Sequence, residues 1–211
     1  MRVVIGGTGG IGKELARVLM AVTTNRALLN VESEESIAAW CAPERWTMEN
    51  EPLHIVNATG VSISAMLHKA QLLDIEHMLR VNLISHVLLL KHLRPLFKQL
   101  LPGSTYTAIG SVTVDIAPVG TGVYTASKAA LRGLVPIAAR EFAPFARINL
   151  LEAGYTELGM IAQVPDHAAL IRTIPVRRLG RIEDLKLACE YIMDNEYMTG
   201  SILKVNGGLA A

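Results

Sequence analysis

Residues 2–20 read R-V-V-I-G-G-T-G-G-I-G-K-E-L-A-R-V-L-M, and no other stretch narrows the choice of fold as much. Arg2 to Ile5 predicts a short β-branched strand that runs straight into glycine, and Lys13 to Met20 has helix character. Strand, glycine turn and helix in this order form the dinucleotide-binding plan. Glycines let the backbone turn tightly and approach a pyrophosphate without a Cβ clash. The helix then meets the phosphates with free N–H groups and the positive end of its dipole. The spacing is Gly6-x-x-x-Gly10-x-Gly12, with Thr8, Gly9 and Ile11 completing the candidate turn. A second strand is predicted over Arg26 to Asn30, at the distance that a β-α-β unit requires.

A chain of 211 residues fits one domain, residues 1–211, with a substantial core. Hydrophobic residues make up 51% and charged residues 18%, yet no apolar run approaches the ~20 residues that span a bilayer. The longest candidate, Val81 to Leu90, is interrupted by Asn82, Ser85 and His86. The excess apolarity is therefore expected on both faces of a parallel sheet or at a subunit interface. Val3-Val4-Ile5 is far too short for a signal-peptide core. A net charge of +1 without a basic cluster gives no footprint for nucleic acid. Cys41 and Cys189 are too few for a metal site or a disulfide framework, and the six scattered histidines are read as structural or surface residues. A cytoplasmic protein without a membrane or nucleic-acid partner is expected.

Further along, Leu53 to Val56 predicts a strand that ends in N-A-T-G, Asn57 to Gly60. A long helical pattern follows, with R-V-N-L-I-S-H around Asn82. Thr105 to Ile109 predicts another strand, ending at Gly110-Ser111, and V-Y-T-A-S-K places Tyr124 thirteen residues beyond Ser111. On a helix Tyr124 and Lys128 share one face, one turn apart. The chain closes with R-L-G-R-I-E-D-L and M-T-G-S-I-L-K-V-N-G-G. In this order and spacing the motifs resemble the short-chain dehydrogenase/reductase family in its compact single-domain branch, over nearly the whole chain. The resemblance implies an α/β fold, a doubly wound, mostly parallel, Rossmann-like sheet of seven strands in the order 3-2-1-4-5-6-7. It further implies an NAD(P)-dependent oxidoreductase that interconverts a small-molecule carbonyl and an alcohol, working as a homodimer or homotetramer. Helices around Asn82 and Lys128 rich in Leu, Ala and Val on more than one face agree with self-association.

The same resemblance assigns roles. Tyr124 is the acid/base. A free phenol has a pKa of about 10, and a nearby ammonium lowers it; Lys128 is expected to do this and to hydrogen-bond the nicotinamide ribose. Ser111, at the C-terminal end of a strand where open sheets place their chemistry, holds the substrate oxygen. Asn82 sits at a helix irregularity and supports a water that relays protons to the lysine; the alternative is an asparagine that only ties its helix to a neighbour. Asn57, Ala58, Thr59, Gly60, Gly154 and Thr156 complete the expected cofactor contacts, and the hydride belongs to the cofactor.

Several positions depart from the family pattern. Ile5 stands for a threonine, Ala153 precedes Gly154 in place of proline, Leu158 stands for a threonine with Thr156 nearby, and Asn206 replaces an aspartate. Only 22 residues separate Asn30 from Leu53. They accommodate a helix over Ser33 to Cys41 and a short strand over Arg45 to Met48, with Glu49 to Pro52 as a direct link and no second helix. Residues 155–175 are expected over the substrate, with Tyr155, Met160, Ile161 and Val164 as candidate lining. At the end of the second strand, Glu32 facing the ribose favours NAD, whereas Asn30 there leaves a 2′-phosphate unopposed, so the cofactor is NAD or NADP. The alternative function is a cofactor-binding regulatory or scaffold protein of the same fold with little turnover. The departures favour it, and the intact Asn82, Ser111, Tyr124 and Lys128 oppose it.

Overall fold

The computed structural model describes residues 1–46, 51–158 and 166–210. Strands β1 (Arg2–Ile5), β2 (Val22–Thr23), β3 (His54–Asn57), β4 (Thr105–Ser111), β5 (Arg147–Ala153) and β6 (Ile202–Val205) form one parallel sheet in the order β2-β1-β3-β4-β5-β6. Helices α1 (Gly10–Val18), α2 (Glu34–Cys41), α3 (Leu72–Leu79), α4 (Ser85–Gln99), α5 (Thr113–Ile116), α6 (Gly122–Phe142), α7 (His167–Thr173) and α8 (Ile182–Asp194) connect them. Alternate residues of each strand point to opposite faces. Val3, Ile5, Ile55, Tyr106 and Leu150 pack with α2, α4 and α6 on one face. Val4, Val56, Ile109 and Leu151 pack with α1 and α8 on the other. Both faces of the sheet are covered, which accounts for the apolar composition.

The doubly wound fold is as expected, with six strands among the described residues rather than seven. The second strand is not Arg26 to Asn30. Helix α1 gives way to a left-handed residue, Met20 at φ 50°, and the chain pairs at once with β1 through Val22 and Thr23. Residues 26–30 form a turn in which the Asn25 side chain accepts from the amides of Ala27 and Leu28. Leu29, which looked like strand, plugs the core from that turn. The strand expected over Arg45 to Met48 also does not form where it is described. Pro43–Arg45 makes one 3-10 turn, and Trp46 folds back on α2, its ring 5.0 Å from that of Trp40 and its Nε1 donating to the Trp40 carbonyl. Thr47, Met48, Glu49 and Asn50 lie outside the described residues. The remaining order equals the expected one without its outermost strand, so β2 becomes the sheet edge.

The long helical pattern around Asn82 is a continuous rod, α3 and α4, joined by a π turn at Arg80–Ile84. Beside it, Asn57, His86 and Tyr106 form a fully buried polar cluster. Asn57 Nδ2 donates to the Tyr106 hydroxyl at 2.8 Å, and His86 Nδ1 lies 2.9 Å from that hydroxyl. Burial pushes the His86 pKa down to about 3, helped by the charge of Lys128, so the folded protein excludes its cation. Between about 3 and the unfolded value near 6.5, the unfolded state therefore binds more protons. Stability is complete above the unfolded value and falls as pH drops toward the folded one. On going from pH 7.5 to 5, wild type is expected to lose about 2 kcal/mol more than His86→Gln, read from urea midpoints at the two pH values. Equal losses in both proteins would remove His86 as the cause.

Candidate active site

Parallel pairing brings the C-terminal ends of the strands into line: Ile5 is opposite Asn57, Asn57 opposite Ala108, and Ser111 opposite Ala153. The chain order reverses at β1, flanked by β2 and β3, which is where open sheets of this type bind ligands. The glycine turn lies there, and its geometry explains its composition. Gly6 has φ +85°, and a Cβ on it would lie 2.9 Å from the Thr59 amide nitrogen. A Cβ on Gly12 would lie 2.3 Å from the Gly6 carbonyl oxygen. The turn is thus pressed against both itself and the N-A-T-G segment. Helix α1 starts from Gly9 with no side-chain cap and no acidic residue in its first turn, which leaves its first amides free for an anion.

A cavity of about 390 Å³ runs from this turn along the strand ends. Of the residues assigned to cofactor and catalysis, it is lined by Gly9, Gly10, Ile11, Gly12, Ala58, Thr59, Gly60, Ser111, Tyr124, Lys128, Gly154 and Thr156. Gly6, Thr8, Asn30, Asn57 and Asn82 do not line it. Thr8 is exposed at the turn. Asn57 supports from behind, its Oδ1 accepting from both the amide and the hydroxyl of Thr59. Asn30 is a correction: its amide donates to Ser36 and its Oδ1 accepts from Glu32 in the entry to α2. With β2 ending at Thr23, the residues at that end are Thr24, Asn25 and Arg26. The β-branched run Val22-Thr23-Thr24 was the signal that could have located it.

Tyr124 and Lys128 lie on the buried stripe of α6, and Ser111 ends β4; all three are buried. Lys128 Nζ donates to the Ile109 carbonyl at 2.9 Å and to the Thr59 carbonyl at 3.5 Å. Gly60 makes room for it, since a Cβ there would sit 3.2 Å from Nζ. Asn82 is bonded at both ends of its amide: Oδ1 accepts from the Val61 amide, and Nδ2 donates to the Val61 carbonyl and to Ser127 Oγ. Ser127 in turn donates to the Tyr124 carbonyl at 2.6 Å. The asparagine thereby clamps the π turn, the strand exit and α6 together.

The expected acidity of Tyr124 needs correction. Burial raises the phenol pKa, and the opposing influence is a hydrogen bond with Ser111, not the Lys128 ammonium. Lys128 itself is pushed down to about 8 by burial. The residues missed in sequence include four hydroxyls: Ser62, Ser64, Thr113 and Thr121 also line the cavity. In V-S-I-S, an extended chain puts Ser62 and Ser64 on one side, which the alternation already signalled. Tyr155 lines the cavity as expected, while Met160, Ile161 and Val164 lie outside the described residues. Among the described residues no group of His, Cys, Asp and Glu could hold a metal, and no helix is long and apolar enough to cross a membrane.

A parallel sheet of this order, with a glycine turn and a cavity at its switch point, defines the class of dinucleotide-binding α/β proteins. Residues 4–210 match the family profile described as Enoyl-(Acyl carrier protein) reductase. The chain belongs to the short-chain dehydrogenase/reductase family and is an NAD(P)-dependent oxidoreductase of it. Carbonyl reductase family member 4 of Danio rerio is 35% identical over 156 residues, 74% of this chain and 65% of that protein. The 3-oxoacyl-(acyl-carrier-protein) reductase of Homo sapiens is 26% identical over 230 aligned positions, 98% of this chain and 96% of that one. A small-chain dehydrogenase crystallised with NADPH superposes with a TM-score of 0.86 at 24% identity, covering 99% of this chain and 97% of its own.

Burying a cation costs stability, and the pH dependence of Lys128 exposes that cost. Its folded pKa of about 8 is below the unfolded value near 10.4, so the penalty is present at low pH and is relieved as pH rises between the two values. Wild type should gain about 2.5 kcal/mol on Lys128→Met between pH 8 and 10.5, read from denaturant midpoints. A constant difference over that range would show that Lys128 does not titrate as its burial dictates.

Proposed function

We propose that this chain reduces a small-molecule carbonyl to an alcohol, or runs the reverse oxidation, with Tyr124, Ser111, Lys128 and Asn82 as its machinery. The observation that supports this most is a single cavity with the glycine turn at one end and buried Ser111, Tyr124 and Lys128 at the other. The glycines, whose Cβ atoms would collide with backbone, fit a pyrophosphate against the uncapped start of α1. The nicotinamide supplies or takes the hydride when bound.

In reduction, the carbonyl oxygen gains negative charge and needs a proton. Tyr124 donates it; the burial that raises its pKa keeps the phenol protonated and available as an acid. Ser111 donates a hydrogen bond to the same oxygen and holds it beside the phenol. Lys128 has three N–H donors; two are spent on the Ile109 and Thr59 carbonyls, which leaves one for a ribose hydroxyl. Asn82 fixes Val61 and Ser127. A relay water at Asn82 would meet the main chain of the π turn or the second acceptor site of Oδ1, because both Nδ2 donors are already engaged. Lys128 is the one ionic side chain among the described residues that line the cavity, which suits a substrate whose reacting end carries no charge.

The corrected β2 end favours NADP. Arg26 lies just beyond it, with only Thr24 and Asn25 between, a cation that can accommodate a 2′-phosphate, although its guanidinium rests on the Glu32 carboxylate at 3.1 Å and a phosphate would have to take that place. Glu32 is engaged with Arg26 and His77. The NADPH bound by the superposed dehydrogenase agrees with this reading. Homo-oligomerisation is supported by Ile84 and Val87 on the π turn and α4, and by Ile137 on α6, which are large apolar side chains left exposed.

Titration with NADPH and NADH is the test. Arg26→Ala should weaken NADPH about tenfold or more and leave NADH nearly unchanged, as expected for loss of a charge-assisted phosphate contact. With a carbonyl substrate, Tyr124→Phe should cut kcat at least ~100-fold at unchanged nucleotide Kd. Retained turnover in that variant would assign the acid elsewhere.

A further inference from the structure

Arg132 lies on α6 one turn beyond Lys128 and two beyond Tyr124, and nothing in the chemistry above uses it. Its guanidinium holds two carboxylates at once. Nη1 and Nη2 form a fork on Asp115, at 2.9 and 2.8 Å, and Nη2 and Nε form a second fork on Glu152, the former at 2.7 Å. Lys204 Nζ joins Asp115 at 3.1 Å. Four elements meet in this one network: α5, α6, β5 and β6. Glu152 is only 1% exposed, and a carboxylate buried to that degree is tolerated only when paired. Burial of Glu152 explains one of the two forks. The fork to Asp115 is left over.

Asp115 belongs to α5, a single turn of four residues that begins two positions after Ser111. A helix that short does not hold itself, so its ties to other elements decide where it sits. Its first residue, Thr113, directs both its amide (3.3 Å) and its hydroxyl (3.0 Å) at Ser111 Oγ as donors. A serine hydroxyl has two acceptor sites and one proton. With both acceptor sites taken by Thr113, the Ser111 proton is directed outward, toward the phenol and the place of the substrate oxygen.

We infer that Arg132 is a positioning residue for the reaction: by clamping Asp115 it holds α5 so that Thr113 fixes the direction in which Ser111 donates its hydrogen bond. The bidentate fork suits this task, since two parallel bonds set orientation as well as distance. Asp115 stays anionic throughout the working range, because Arg132 and Lys204 hold its pKa at about 2. The inference rests on the carbonyl-reducing reading of the cavity. It adds a specific dependence, that Asp115 and Arg132 act on the chemistry only through Ser111.

The test is a double-mutant cycle between Asp115→Asn and Ser111→Ala, with amide hydrogen exchange over residues 112–117 as a second readout. Asp115→Asn is chosen because it cuts the fork to α5 and leaves Arg132 on Glu152, so the buried carboxylate keeps its partner. In the wild-type background it should lower kcat about tenfold, a change of one decade in transition-state stabilisation, with NADPH Kd within error and a urea midpoint that falls alike with and without Ser111, because the ion pairs of Asp115 are lost in both. In the Ser111→Ala background it should have no further effect, because the group it acts through is gone. Exchange at 112–117 should accelerate. Arg132→Lys, which keeps the charge beside Glu152 and loses the fork, should behave in the same direction. An unchanged kcat, or an equal fall in both backgrounds, would overturn the inference, since a merely structural network would act regardless of Ser111. If wild type turns over no carbonyl with NADPH, the reading of function fails by itself. Exchange then decides the clamp: acceleration upholds it and unchanged exchange overturns it.

Discussion

The site depends first on a backbone-to-backbone approach that no side chain permits. The glycine turn is pressed onto its own Gly6 carbonyl at Gly12 and onto the Ala58–Thr59 peptide at Gly6. That second contact fixes more than the turn. The Thr59 carbonyl and Gly60 form the wall against which the Lys128 ammonium rests. A Cβ at Gly6 would therefore displace the lysine's surroundings as well as the phosphate cradle, and a defect at one end of the cavity would be felt at the other.

Buried amides transmit the arrangement between elements. Asn57 spends Oδ1 on Thr59 and Nδ2 on the Tyr106 hydroxyl, joining the strand exit to the core of the sheet. Asn82 joins Val61 to Ser127, and Ser127 joins it to the Tyr124 carbonyl. Polar side chains so deeply buried are costly unless every group is paired, and both of these are paired. A π turn inserts one extra residue into a helical rod and re-aims the side chains around it. Here it brings Asn82 onto α6 without breaking the rod.

Much of this was legible in the chain, for physical reasons that differ by element. The first strand, the glycine turn and the Tyr124–Lys128 stripe could be read because each has a local signature: β-branched residues before glycine, and i, i+4 spacing on an apolar helix face. The helix over Ser33 to Cys41 could be read because Ser33 caps it, accepting from the Ser36 amide. Residues 26–30 could not, because A-L-L has the same apolarity whether it pairs in a sheet or plugs a core from a turn, and only the left-handed Met20 shortens the approach enough to start β2 at Val22. The acidity of Tyr124 was also out of reach. Sequence spacing puts Lys128 one turn away, but the direction of its ammonium is set by the Ile109 and Thr59 carbonyls, which are distant in the chain.

Lys128 is where the fold and its chemistry pull in opposite directions. A cation only 3% exposed with no carboxylate among its hydrogen-bond partners is a poor choice for stability, and an apolar side chain of similar length would pack at lower cost. Its bonds to two carbonyls offset part of the penalty and leave one donor uncommitted. Arg132, one turn further on the same helix, shows the other solution: a guanidinium forked on the buried Glu152 carboxylate and on Asp115. Local consistency is expected to fail where a protein acts rather than merely holds itself together. The two cations differ in just that respect. In the proposed reaction the paired one holds the frame around Ser111, and the incompletely paired one keeps a donor free inside the cavity, so on that reading the destabilised lysine is the working end of α6 and the doubly forked arginine its anchor.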